Sequence, residues 1–206
     1  VSAAREAILS AVRAATAGGA VPEPLERTYR RRGARSQAER VALLCERLGD
    51  YRATVRRVAP SQLRGALDER AAGRIGVPPG LAHEWRPAGA VEDHGLTPQE
   101  LDALDGVVTG CTVAIAETGT LILSGGRNEG RRALTLVPDL HVCIVRSGQV
   151  VETVPEAFDV LGVSASRPLT FVSGPSATSD IELRRVEGVH GPRQLVVLVV
   201  EEGEDD

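Results

Sequence analysis

An α/β fold, with an open and mainly parallel sheet flanked by helices, is what this sequence predicts, and three observations predict it. From residue 53 onward, short apolar runs of strand length alternate with helical patterns in βαβα order, which favours parallel pairing with helices on the sheet faces. The 42% apolar content is reached with only 2% aromatics and no methionine, so Val, Leu, Ile and Ala must fill the interior. β-Branched residues suit strands and alanine suits close helix packing. At 206 residues the chain fits one domain, expected over 36–206, behind a helix and linker arm over 1–35.

Along the chain, residues 1–16 carry Ala4, Ile8, Ala11, Val12 and Ala15 on one helical stripe, and Gly18-Gly19 ends it. Pro22, Pro24 and the arginines of 18–35 read as a linker. Ser36 followed by Glu39 forms a capping-box pattern for a helix with Val41, Leu44 and Leu48 inward. Residues 53–58 are strand-like, 61–72 helical, and 74–77 a short strand stopped by Pro78-Pro79-Gly80. Thr97-Pro98-Gln99-Glu100 is a helix start, with proline at the first helical position. Strands are expected at 107–109, 112–116, 120–123, 135–136, 142–145, 169–173 and 195–200, with a helix near 154–161.

Composition excludes several chemistries. All 24 basic residues are arginine, so neither a lysine Schiff base nor a phosphate-binding Walker lysine is available. A fixed cationic contact to an anion must come from arginine, histidine or a helix N-terminus. Net charge is −4 and no basic stripe alternates with aromatics, so nucleic-acid binding is not expected; Arg30-Arg31-Arg32 reads as a solvated connector. Cys45, Cys111 and Cys143 are scattered and form no CxxC, which argues for a reducing compartment and against a four-cysteine cluster in this chain. With no apolar run long enough to span a bilayer and no signal-like segment, a cytoplasmic protein without a transmembrane helix or a cofactor of its own is expected.

Three segments carry chemistry. In Ala116-Glu117-Thr118-Gly119-Thr120, Gly119 permits a tight turn and the two threonines offer hydroxyls, so Glu117 sits at a strand end: either a solvated hairpin residue or a ligand-facing acid. In Ser173-Gly174-Pro175-Ser176-Ala177-Thr178-Ser179-Asp180, a strand runs through a hydroxyl-rich loop into a helix start. Ser179 and Glu182 pair as a capping box and Asp180 suits the helix dipole, while the loop amides and hydroxyls equally suit a carboxylate or phosphate. His190 lies between Gly188 and Gly191, either bonded back to the backbone or accessible, and His141 stands at another strand start. These histidines with Glu117 or Asp180 lack metal-ligand spacing, so no metal site is expected. Arg132, just before the strand leading to His141, is a candidate charge partner for an anion.

Together these segments resemble the LUD domain, and in particular the lactate-utilisation protein C family. The matching stretches are TGCTVAIAETGT at 109–120, RRALTLVPDLH at 131–141, SGPSATSDIEL at 173–183 and VEGVHGPR at 186–193, in that order. The resemblance implies a Rossmann-like open sheet similar to the sugar-phosphate isomerase and CoA-transferase fold. It also implies a part in oxidising L-lactate to pyruvate beside two partners resembling iron–sulfur proteins.

Three roles are left open by the residues. The chain could be a non-redox subunit that organises those partners or binds a small carboxylate, with His190 and the loop donors contacting it and Glu117 accepting a proton or orienting it. It could be a stand-alone enzyme of the CoA-transferase or sugar-phosphate class using Glu117, or an assembly protein without a ligand. Candidate ligand contacts are Thr118, Gly119, Thr120, Arg132, His141, Ser173, Gly174, Ser176, Thr178, Ser179 and Asp180. The three glycine-bearing segments are expected to converge at the carboxyl ends of sheet strands.

Overall fold

The computed structural model describes residues 3–17, 28–162, 168–175 and 191–201. Its contacts divide the chain into two units, Val1–Arg30 and Arg31–Asp206. The first contains helix α1 (Ala3–Thr16), which buries none of its residues and leaves Ile8 and Val12 exposed.

The second unit begins with α2 (Gln37–Asp50), capped reciprocally by Ser36 and Glu39 as the sequence indicates, with Val41, Leu44 and Leu48 buried. Strand β1 (Thr54–Val58) leads through a 3-10 turn at Pro60–Gln62 into α3 (Leu63–Arg70), shorter than the helix expected over 61–72 because Pro60 opens a tighter turn first. Next come β2 (Ile75–Val77), β3 (Val91–Glu92), α4 (Pro98–Asp102) behind its Thr97 cap, and β4 (Gly106–Gly110). They are followed by β5 (Val113–Ile115), β6 (Thr120–Leu123), β7 (Leu140–Arg146) and β8 (Val150–Val151). Helix α5 (Val154–Leu161), β9 (Thr170–Val172) and β10 (Gln194–Val200) complete the unit.

Six strands form one parallel sheet in the order β1-β10-β7-β4-β2-β3. β10 shows why its sequence is apolar throughout. Leu195, Val197 and Val199 join a core with α2, whereas Val196, Leu198 and Val200 join another with α3 and Trp85. Successive side chains alternate sides, and both sides are covered.

The sequence reading did not resolve a second sheet, β8-β5-β6-β9, of mixed direction. β5 and β6 form an antiparallel hairpin, β8 runs parallel to β5, and β9 runs antiparallel to β6. Ala114, Ala116, Leu121 and Leu123 pack with α2 against the main sheet, while Val113, Ile115 and Ile122 pack under Ala157 and Leu161 of α5. One face of the main sheet is therefore covered by a helix and a sheet together. The strand expected at 135–136 is also corrected. Arg132–Thr135 is a 3-10 turn, with Leu136 donating back to Ala133 before Pro138, which has no N–H to extend a ladder.

Candidate functional site

The β5–β6 turn forms as its residues require. Gly119 has φ +59°, and a Cβ there would lie 2.8 Å from the Cβ of Arg47 on α2, so glycine satisfies both the left-handed backbone and the close approach. Antiparallel pairing of Leu121 with Val172 then brings Thr120 beside Ser173. The hydroxyls of Thr118 and Thr120 lie 2.8 Å apart, as do those of Thr120 and Ser173, making a continuous hydroxyl chain across two segments. Gly174 has φ +87° and meets Tyr51, whose Cβ would be 2.6 Å from a Cβ at that position.

Tyr51, Thr118, Thr120, Ser173 and Gly174 line a cavity of about 390 Å³ together with Arg132, Thr135, Leu136, Thr170, Phe171, Val172, Pro175, Gly191 and Pro192, whereas Gly119 shapes the turn without lining it. Tyr51, Leu136 and Pro192 each precede a parallel strand, β1, β7 and β10 respectively, and these three are neighbours in the sheet. The cavity therefore lies at the amino ends of these main-sheet strands, while Thr118 and Ser173 follow the carboxyl ends of β5 and β9 in the second sheet, so the carboxyl-end expectation does not describe the main sheet. Phe171, half exposed, has its ring in tilted contact with Phe158 at 6.5 Å.

Electrostatically the cavity favours an anion. Arg132 is exposed, and among the described residues no carboxylate lies within ion-pair distance of it. No described lining residue is acidic, and hydroxyls come from Tyr51, Thr118, Thr120, Thr135, Thr170 and Ser173. A guanidinium beside hydroxyl donors can hold a carboxylate or phosphate by charge-assisted hydrogen bonds.

Other sequence candidates stand elsewhere. Glu117 is bound into the second sheet by its N–H, which donates to the carbonyl of Glu152 at 3.1 Å. Its carboxylate lies 3.9 Å from Arg35 Nη1, and that guanidinium also holds the buried Glu152 carboxylate at 2.7 Å. Glu117 is not among the cavity-lining residues. His141 is 1% exposed within the main sheet, and its Nε2 hydrogen-bonds Thr109 Oγ1 at 2.8 Å. Burial lowers its pKa to about 4, so the imidazole is neutral at pH 7. Ser176, Thr178, Ser179, Asp180 and His190 lie outside the described residues. Among the described residues no cluster of His, Cys, Asp or Glu could hold a metal ion, and no helix is long and apolar enough to cross a membrane.

Sequence reasoning missed Tyr51, Thr135, Leu136, Thr170 and Phe171 as cavity residues. Tyr51 and Phe171 were visible only as rare aromatics in a chain with two Tyr and two Phe, and Thr135-Leu136 was hidden by its strand-like composition.

Comparison with known proteins fits this architecture. A protein named "Lactate utilization protein C" from Deinococcus radiodurans is 47% identical over 172 residues, covering 80% of this chain and 81% of that protein. One of the same name from Geobacillus kaustophilus is 33% identical over 127 residues, 57% of this chain and 50% of the relative. A crystal structure titled as a DUF162 family protein from Deinococcus radiodurans superposes with a TM-score of 0.71 at 41% identity, covering 81% of this chain and 99% of that one. The family model described as the LUD domain matches residues 74–200, which include every strand from β2 to β10 and most of the cavity wall. The chain belongs to the LUD domain family.

Proposed function

We propose that this chain acts in lactate utilisation as a non-redox subunit that binds a small carboxylate in the Arg132 cavity, beside iron–sulfur partner proteins that carry the electrons. The names of the relatives support a role in lactate utilisation. The observation that carries the ligand is the cavity itself, with Arg132 and a chain of hydroxyls facing space that no described acid lines. A carboxylate there would accept from the guanidinium and from the free protons of Thr118, Thr120 or Ser173. His190, Ser176, Thr178 and Ser179, which lie outside the described residues, remain candidate donors on their residue types alone.

Binding is tested by calorimetry with L-lactate and pyruvate. Arg132→Ala is expected to weaken binding about 10- to 100-fold, corresponding to a lost charge-assisted contact of roughly 1.5–3 kcal/mol. Equal affinity in mutant and wild type would remove Arg132 from the site. Failure of wild type to bind at millimolar ligand would leave only the partner-organising role. That role is measured separately, by lactate oxidation in the reconstituted partners with and without this chain.

The purified chain alone is expected to show neither iron nor flavin absorbance and no lactate dehydrogenase activity. Cys111 and Cys143 are buried in the core, and the hydrogen bond with Cys143, together with burial, holds the Cys111 thiol well above its ordinary pKa, unlike the thiolates that ligate clusters. Stoichiometric iron in native protein would overturn this. A transferase using Glu117 would need an acyl group to reach a carboxylate turned toward Arg35, outside the cavity.

A further inference from the structure

Arg132 stands between two cavities. Besides the one already described, a second of about 550 Å³ is lined by Leu123, Ser124, Gly125, Glu129, Gly130, Arg131 and Pro168, and Arg132, Thr135 and Thr170 line both. A three-carbon acid, with six heavy atoms, occupies roughly 100 Å³ at ordinary packing density, so it would fill neither. Each cavity alone falls in the range of about 300–1,000 Å³ typical of sites for much larger molecules.

The charges give the pair a direction. In the first cavity Arg132 and the hydroxyls of Thr118, Thr120 and Ser173 favour a negative group. In the second, Glu129 is 4% exposed, and its oxygens already accept from the N–H groups of Ser124 and Gly126 and from Thr112 Oγ1. It has little left to offer a ligand, and its charge repels a second anion. Arg131, which also lines it, is already held by Asp93 through Nε and Nη2; apart from the Ser124 hydroxyl, the rest of the wall is apolar, from Leu123, Pro168 and the glycine backbone, and it suits hydrocarbon.

We propose that the joined cavities bind an elongated amphipathic acid, a carboxylate with a hydrocarbon tail, the head against Arg132 in the first cavity and the tail running past Thr135 and Thr170 into the second. This rests on the carboxylate reading above and extends its substrate class beyond three-carbon acids.

Calorimetry on the full chain with straight-chain 2-oxo acids, from pyruvate to 2-oxooctanoate, tests it. Affinity is expected to rise roughly three- to fourfold per added methylene until the second cavity is filled, the gain for burying one CH₂. Pro168→Trp, placed on the exposed rim of the second cavity, is expected to reduce the ratio of 2-oxooctanoate to pyruvate affinity. Arg132→Gln is expected to weaken all members of the series together. If pyruvate binds and lengthening the chain brings no gain, the extended site is wrong and the small-carboxylate reading stands. If methyl esters of the same acids bind as well as the acids, the head-group assignment is wrong. If no acid of any length binds, both readings fall.

Discussion

Replacing Glu129 with alanine is expected to lower the unfolding free energy by about 3–5 kcal/mol, because it strands several donors around a buried acid. Its carboxylate accepts from Ser124 N at 2.6 Å, Gly126 N at 2.9 Å, Ser124 Oγ at 3.3 Å and Thr112 Oγ1. Removing it leaves two backbone amides without an acceptor and lets the 124–130 loop unwind. That loop is also a brace, since Asn128 accepts from Gly110 N at the end of β4 through its carbonyl and from Ala82 N through its side chain. The loss should therefore spread to the second cavity, whose wall the loop supplies. Urea titration should show the fall in midpoint. Glu129→Gln, which keeps the size and one acceptor oxygen, should lose about half as much. A change below 1 kcal/mol for the alanine variant would mean that water replaces the carboxylate.

The parts legible in the sequence were those whose cause is local. Ser36 with Glu39 and Thr97 with Glu100 are capping boxes because each partner lies three residues away, and both are present. The unbroken apolar runs of β7 and β10 reflect burial on both faces and signal a parallel sheet directly. What was illegible depends on distant partners. β8 and β9 are two and three residues long, and only pairing with β5 and β6 makes them strands. Glu129 read as an ordinary loop acid, since nothing in Ser124–Gly130 says that Thr112 will close over it. In the site, Gly119, Thr120 and Ser173 stood out because glycine next to hydroxyls is unusual at strand ends. The side of the sheet was misjudged because the expectation applied the carboxyl-end rule for open parallel sheets to segments that belong largely to the second, mixed sheet.

Asp93→Ala is expected to cost about 2–3 kcal/mol and to change how stability depends on pH. Asp93, with its side chain 1% exposed, takes Arg131 Nε at 2.7 Å and Nη2 at 2.9 Å, and accepts the N–H groups of Gly95 and Leu96. Burial alone would raise its pKa, but the Arg131 contact and the two amides outweigh it and hold the carboxyl below its ordinary value of 3.8. The ion pair is screened on the Arg131 side, which is 43% exposed, so the estimate is kept below that for a fully buried pair. For a depressed carboxyl pKa, the stabilisation is fully present above the unfolded value, near 3.8, and is lost as pH falls through the lower folded value. His141 acts in another window. Its folded pKa of about 4 lies below the ordinary 6.5, so the unfolded chain takes up a proton first and stability declines between those values on acidification. The stability of the wild type should accordingly fall in two acid stages, the His141 stage between pH 6.5 and about 4 and a stage including Asp93 below 3.8. Asp93→Asn should shrink the lower stage, to which the lowered carboxyls of Glu39, Glu92, Glu100 and Glu156 also contribute, and leave the upper stage unchanged, since an amide still accepts the Gly95 and Leu96 protons but does not titrate. If the lower stage persists unchanged in Asp93→Asn, other carboxylates control acid unfolding and the Arg131 pair contributes little.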